Sequence, residues 1–173
     1  MLNILSLIQV KAFARIDGAL LALLWTASFV LMIYLPQSML GSLLIVATPF
    51  FVLWRLIKFR TNALDGVISF RRAFAYGCFT FFYASMLFAV VQFLYFQFLD
   101  SGKFVQMLLD ALKIIGPIYK QNGIDTADAY ATLGILSGMS PIEKAFTFMM
   151  QNIFIGSFVS LFAALIGARR ARH

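Results

Sequence analysis

Apolar residues run along the chain in four blocks, residues 18–35, 38–54, 73–99 and 145–168, and none of them contains Asp, Glu, Lys, Arg or His. About 20 residues at 1.5 Å each cross a ~30 Å hydrocarbon core, and a charge at its centre costs at least ~2.5–3.5 kcal/mol. Blocks this clean predict an all-α membrane protein. Four transmembrane helices form one bundle, a single integral domain over residues 1–173. Only Pro36-Gln37 separates the first two blocks, so their helices must be antiparallel neighbours. Pro49 removes a backbone donor inside the second block, frees the Ile45 carbonyl and predicts a kink.

The polar stretches between blocks are patterned too. Residues 61–66 read Thr-Asn-Ala-Leu-Asp-Gly, a turn signal, and Ser69 is placed to cap the third span. The outer segment, residues 100–144, is too long for a plain loop. Phe104, Leu108, Ala111, Leu112, Ile115 and Tyr119 fall on one side of an amphipathic helix, which Gly116-Pro117 should break or bend near its end. A second helix is expected from Asp125 or Thr126 to about Leu136. Ser140-Pro141-Ile142-Glu143 has the spacing of a capping box with proline at the first helical position, a strong start signal for span four. These two helices read as a cover resting on the bundle, or as a docking surface or gate. Near the N-terminus, Ile4, Leu7, Ile8 and Lys11 recur at helical spacing and predict a short amphipathic turn, with Lys11 and Arg15 at headgroup level. Ala12-Phe13-Ala14 imitates a cleavage site, but no basic residue precedes the apolar run, which argues against a signal peptide.

Composition reinforces the membrane reading: 62% of residues are hydrophobic and 12% charged, against roughly 45–50% and 25% in soluble domains. The net charge of +7 is unevenly distributed. Lys11, Arg15, Arg55, Lys58, Arg60, Arg71, Arg72, Arg169, Arg170 and Arg172 flank the spans on one side, with only Asp17 and Asp65 against them. Lys103, Lys113, Lys120 and Lys144 share the outer segment with Asp100, Asp110, Asp125, Asp128 and Glu143. By the positive-inside rule both termini and the linker between spans two and three are cytoplasmic. A basic rim of this kind suits anionic lipid headgroups better than nucleic acid.

Chemistry is sparse. No phosphate loop, catalytic triad, zinc-protease motif or paired catalytic carboxylate can be assembled, and Asp125 with Asp128 makes a poor metal site. The sequence therefore predicts no catalytic residue, no metal and no cofactor, and the spans carry no ionisable group beyond tyrosines and Cys78. Asp100 with Glu143 is the one acidic pair that an enzyme would have to use. Gln92, Gln97, Gln151 and Asn152 could share one level near the outer end of spans three and four, hydrogen-bonding across the helix pair or lining a polar pocket. Gly156, Ser160, Ala164 and Ala168 recur every four residues and form a small-residue packing stripe, with Ala73 and Gly77 as a shorter counterpart. The stripe can serve within the monomer, the reading preferred here, or between copies.

The run Gly66-Val67-Ile68-Ser69-Phe70 before a long span, and Phe98-Leu99-Asp100 at the end of that span, resemble the uncharacterised bacterial membrane family named domain of unknown function 4199 (DUF4199). Ser101 stands where the family often has proline. Asn152-Ile153, the stretch from Ser157 to Leu161 and the basic tail extend the resemblance over most of the chain, with Gly66, Ile68, Ser69, Phe70 and Asp100 as its motif residues. The resemblance implies four spans and a bacterial inner-membrane location, and it implies no activity. Together these readings predict a non-enzymatic inner-membrane protein acting by association with lipid, with another membrane protein or with itself. The alternative is a small transporter or channel, with the outer helices as a lid over a continuous polar path.

Overall fold

The computed structural model describes residues 4–169, with side chains from residue 7; the expected cytoplasmic residues Arg170, Arg172 and His173 lie outside them. Seven helices follow one another: α1 (Ile4–Tyr34), α2 (Leu40–Val46), α3 (Thr48–Ala63), α4 (Phe70–Phe98), α5 (Lys103–Gln121), α6 (Ala127–Gly138) and α7 (Pro141–Gly167). Three segments, Leu7–Tyr34, Phe70–Phe98 and Pro141–Gly167, are long and apolar enough to cross a membrane. Counting α2 and α3 as one bent span raises the number to four.

The first span differs from expectation at its start. Helix α1 does not begin at residue 18 but runs unbroken from Ile4, so the N-terminal turn and the span are one rod. Nothing between them breaks a helix: no proline intervenes, and Gly18 is buried against α4, where a Cβ would lie 2.8 Å from the Thr80 carbonyl oxygen. The second span differs at both ends. It begins at Leu40, bends by 44° at Ala47 and continues nine residues past Trp54. Pro49 then sits in the first turn of α3, where its missing N–H is harmless, and the Ile45 carbonyl is taken by a capping N–H. Arg55, Lys58 and Arg60 therefore stand on a helix and not in a linker.

Signals at the other boundaries fared unevenly. Ser69 occupies the cap position of α4, but its side chain makes no capping bond. At α7 the capping box is complete: the Glu143 carboxylate accepts from the Ser140 N–H at 2.7 Å, and Ser140 Oγ accepts from the Glu143 N–H. Helix α5 passes through Gly116-Pro117 to Gln121, four residues further on, where the Ile118 and Tyr119 carbonyls accept from the Asn122 N–H and close the final turn. The apolar face of α5 is narrower than its sequence suggests. Phe104 and Leu112 are buried, whereas Ala111, Ile115 and Tyr119 are exposed. Helix α6 starts at Ala127, whose N–H donates to Asp125 Oδ1 at 3.0 Å.

Packing centres on α4, which lies along α7 on one side and α1 on the other. The small-residue stripe accounts for the first contact. Gly156, Ser160 and Ala164 are buried and Ala168 partly so; Gly156 receives the Phe81 ring, and Gly77 lies against Ser160, where a Cβ would be 2.6 Å from Oγ. Removing side chains lets the two backbones approach, so dispersion contacts accumulate where lipid supplies no hydrophobic drive. Aromatic rings fill the remainder. Trp25 meets Phe81 and Phe88, while Phe29 meets Phe88, Tyr95, Phe96 and Phe104. The last contact holds α5 over the end of the bundle.

Because no side chain fits at Gly77 without moving Ser160, Gly77→Val is expected to cost about 1–3 kcal/mol and to lower the thermal unfolding midpoint in detergent. Gly134→Ala on α6, where the added methyl meets nothing within 4 Å, should leave the midpoint unchanged or raise it. Equal midpoints for Gly77→Val and the parent chain would remove the close approach as a source of stability.

Candidate functional site

Polar groups inside apolar helices are the starting point, since each has to find a partner or a cavity. Of the four amides expected at one level, the structure brings two to the same place. Gln92 on α4 and Asn152 on α7 both line a cavity of about 450 Å³. Gln97 and Gln151 lie on exposed faces of their helices and take no part in it. No hydrogen bond joins the four to one another.

The cavity is lined by α1, the α2–α3 bend, α4, α7 and the underside of α5. Its walls are largely apolar, with Trp25, Phe29, Phe81, Phe88, Phe104 and Phe148 among them, and no charged residue reaches it. Two of its polar neighbours are already engaged. Ser28 Oγ donates to the Gly41 carbonyl at 2.6 Å, and Thr48 Oγ1 accepts from Trp25 Nε1 at 3.0 Å. Gln92 differs. It is only 4% exposed, and its Oε1 is one of four buried side-chain atoms among the described residues with no hydrogen-bond partner; the others are Arg60 Nε, Arg72 Nε and Ser85 Oγ, none of which lines the cavity. The 44° bend between α2 and α3 borders this space, with Ile45, Thr48 and Pro49 in its wall. Exposed Ile45, Pro49 and Ile155 stand at its mouth, on the bundle's outer perimeter between α2 and α7.

A second polar constellation, absent from the sequence reading, closes the opposite end. Asp17 on α1 is 1% exposed and forms an ion pair with Arg55 of α3, whose Nε donates to Oδ1 at 2.6 Å. Its other oxygen accepts from the Tyr76 hydroxyl of α4. Spans read as free of ionisable groups thus contain a buried carboxylate and guanidinium. The signal was present. Asp17 and Arg55 lie about nineteen residues either side of the Pro36-Gln37 turn, so an antiparallel hairpin sets them at the same height. Nothing in the spacing points to Tyr76.

Further bonds extend this layer. Arg60 Nη1 donates to the Gly167 carbonyl at 2.7 Å, Arg72 Nη2 to Gln9 Oε1 at 2.6 Å, and Gln9 Nε2 to the Ala63 carbonyl at 3.2 Å. The family-like motif belongs here. Gly66 takes φ +80° in the turn, a left-handed conformation that glycine adopts without strain, and Ile68, 1% exposed, exchanges two 3.0 Å backbone bonds with Arg169. Phe70 stacks on Phe74.

The candidate acids serve locally. Asp100 accepts from the Phe104 N–H at 3.1 Å and Glu143 completes the α7 cap; on exposed α5, Lys113 holds the Asp110 carboxyl below its ordinary range through a hydrogen bond. Among the described residues no group of three metal-binding side chains converges. Residues 17–169 match a family model described as "Protein of unknown function (DUF4199)". No curated protein and no solved structure matches the chain.

Breaking a buried pair strands a charge, at a cost of about 3–5 kcal/mol, whereas replacing the whole set by apolar groups of similar size is often neutral. Arg55→Met is therefore expected to destabilise the chain severely, and Asp17→Leu with Arg55→Met and Tyr76→Phe to recover most of the loss. Unfolding midpoints in detergent measure both, and a combined variant as unstable as the single one would contradict this account.

Proposed function

The chain belongs to the DUF4199 family, and on that premise we propose that it is a non-enzymatic integral protein of the bacterial inner membrane that acts through association with lipid. In this reading α1, the bent α2–α3 pair, α4 and α7 are four spans of one bundle. The end holding Asp17 and Arg55 is cytoplasmic, and α5 and α6 lie on the outer surface.

The observation that carries the reading is the apolar girdle. Leu23, Phe50, Phe82, Val90, Phe154, Phe158, Phe162 and Leu165 are all 42–70% exposed. Large apolar surfaces of this extent call for a nonaqueous partner. Exposed Arg15, Lys58, Arg71 and Arg169 ring one end of it, where each contributes about 1 kcal/mol toward anionic headgroups. The acids Asp17, Asp100 and Glu143 are each engaged in an ion pair or a cap, which favours a binding role over hydrolytic chemistry. One observation favours a second reading, a small transporter: the 44° bend beside a cavity. Against it stands the closed layer at the Asp17 end, which interrupts any polar path.

Orientation is tested by fusions in the bacterial membrane. A fluorescent reporter after His173 should be active, as should alkaline phosphatase inserted at Gly123 between α5 and α6; the reverse pattern would overturn the assignment. The rim is tested in nanodiscs by counting phosphatidylglycerol molecules that stay with the protein in native mass spectrometry. Lys58→Gln with Arg71→Gln should weaken retention about tenfold or more, and unchanged retention would remove the headgroup role.

A further inference from the structure

We propose that the cavity beneath α5 is a binding site for a neutral, hydroxyl-bearing lipid, whose alcohol pairs with the Gln92 carboxamide while one acyl chain occupies the aromatic space. The proposal rests on the bundle being embedded in a bilayer and names a ligand class for it.

Three observations lead there. The volume of about 450 Å³ lies within the ~300–1,000 Å³ of small-molecule sites, and its walls are apolar. Water can occupy only the polar corner by Gln92 and Asn152, because the rest of the wall is aromatic and aliphatic and offers it no partner. A buried amide oxygen without a donor costs about 1–3 kcal/mol. Gln92 Oε1 carries that cost unless something brings it one. Finally, the lining contains no Lys, Arg, Asp or Glu, so a charged headgroup drawn into it would have no counter-charge.

Depth narrows the class. Gln92 lies six residues from the end of α4, about 9 Å below it at 1.5 Å per residue, and from Phe81 to Gln92 the cavity follows α4 for about 16 Å. A phosphate or ammonium headgroup cannot sink so far without a partner, whereas an alcohol can. An alcohol also both donates and accepts, so it satisfies the carboxamide whichever way the amide is turned. Asn152, facing the same cavity from α7, is placed to bind the adjoining ester oxygens. The mouth at Ile45, Pro49 and Ile155 faces the lipid perimeter, so the ligand enters sideways from the bilayer and its second chain remains there.

Trp25 supplies the readout, because it lines the cavity and is 8% exposed, while the other tryptophan, Trp54, is exposed at the far end of the bundle. In a Trp54→Phe background reconstituted into phosphatidylcholine vesicles, diacylglycerol with brominated acyl chains should quench Trp25 fluorescence strongly. Brominated phosphatidylcholine should quench it weakly. Unlabelled dioleoylglycerol should relieve the quenching, and its O-methyl ether should not.

Gln92→Leu, which replaces a buried polar group by an apolar one and so should fold, is expected to raise the half-quenching mole fraction about tenfold. Val159→Phe, which fills the space and leaves Gln92 intact, should abolish quenching. Equal quenching by brominated phosphatidylcholine, equal competition by the ether, or no effect of Gln92→Leu would each overturn the proposal. Absence of quenching by the diacylglycerol would do so too. Extraction of the chain from native membranes by alkaline carbonate, measured separately, would instead overturn the embedding on which it rests.

Discussion

A carboxylate held between a guanidinium and a phenol, out of reach of water, ties α1, α3 and α4 together at one end of this bundle. Asp17 is almost wholly buried, and it is tolerable there only because Arg55 neutralises it and Tyr76 occupies its second oxygen. Such a set contributes little net stability compared with apolar packing, but moving one partner away strands a buried charge. Around it lie the Arg60 bond to the last turn of α7, the Arg72–Gln9 bond and the Ile68–Arg169 bridge. Every long apolar helix has at least one of these anchors.

The opposite end is built differently. There the bond between Trp25 and Thr48 and the one between Ser28 and Gly41 hold the α2–α3 bend against α1, and α5 rests on the bundle through Phe104. What is left between them is a space. The bend that relieves Pro49 of its helical clash lies in the wall of that space, which Ile45, Thr48 and Pro49 help to line. One end is thus bonded shut and the other left hollow.

Much of this was legible along the chain. The apolar blocks, the helical character of the outer segment and the Ser140–Glu143 box depend on composition and on contacts within a few residues. The small-residue stripe was legible too, since a four-residue period places Gly156, Ser160 and Ala164 on one line whatever they face. Charges mark the exceptions. Asp17 and Arg55, which border the uncharged blocks, lie well inside α1 and α3, because each is the other's partner and neither stands alone in the apolar interior. Of the four amides, Gln92 and Asn152 line the cavity while Gln97 and Gln151 are exposed, a difference of helical phase that depth alone does not reveal.

By itself the sequence determined that the chain forms helices, that several are apolar enough to span a membrane, that both ends of the apolar blocks differ in charge, and where α7 begins. Those outcomes follow from local propensity and from the cost of placing charge in hydrocarbon. Only the tertiary structure decided that Asp17 meets Arg55 and Tyr76, that Gly77 receives Ser160, and that Gln92 faces a cavity with its oxygen unclaimed. Each depends on the rotation of one helix about its axis relative to another, and that angle is set by the whole packed interface and by no single segment.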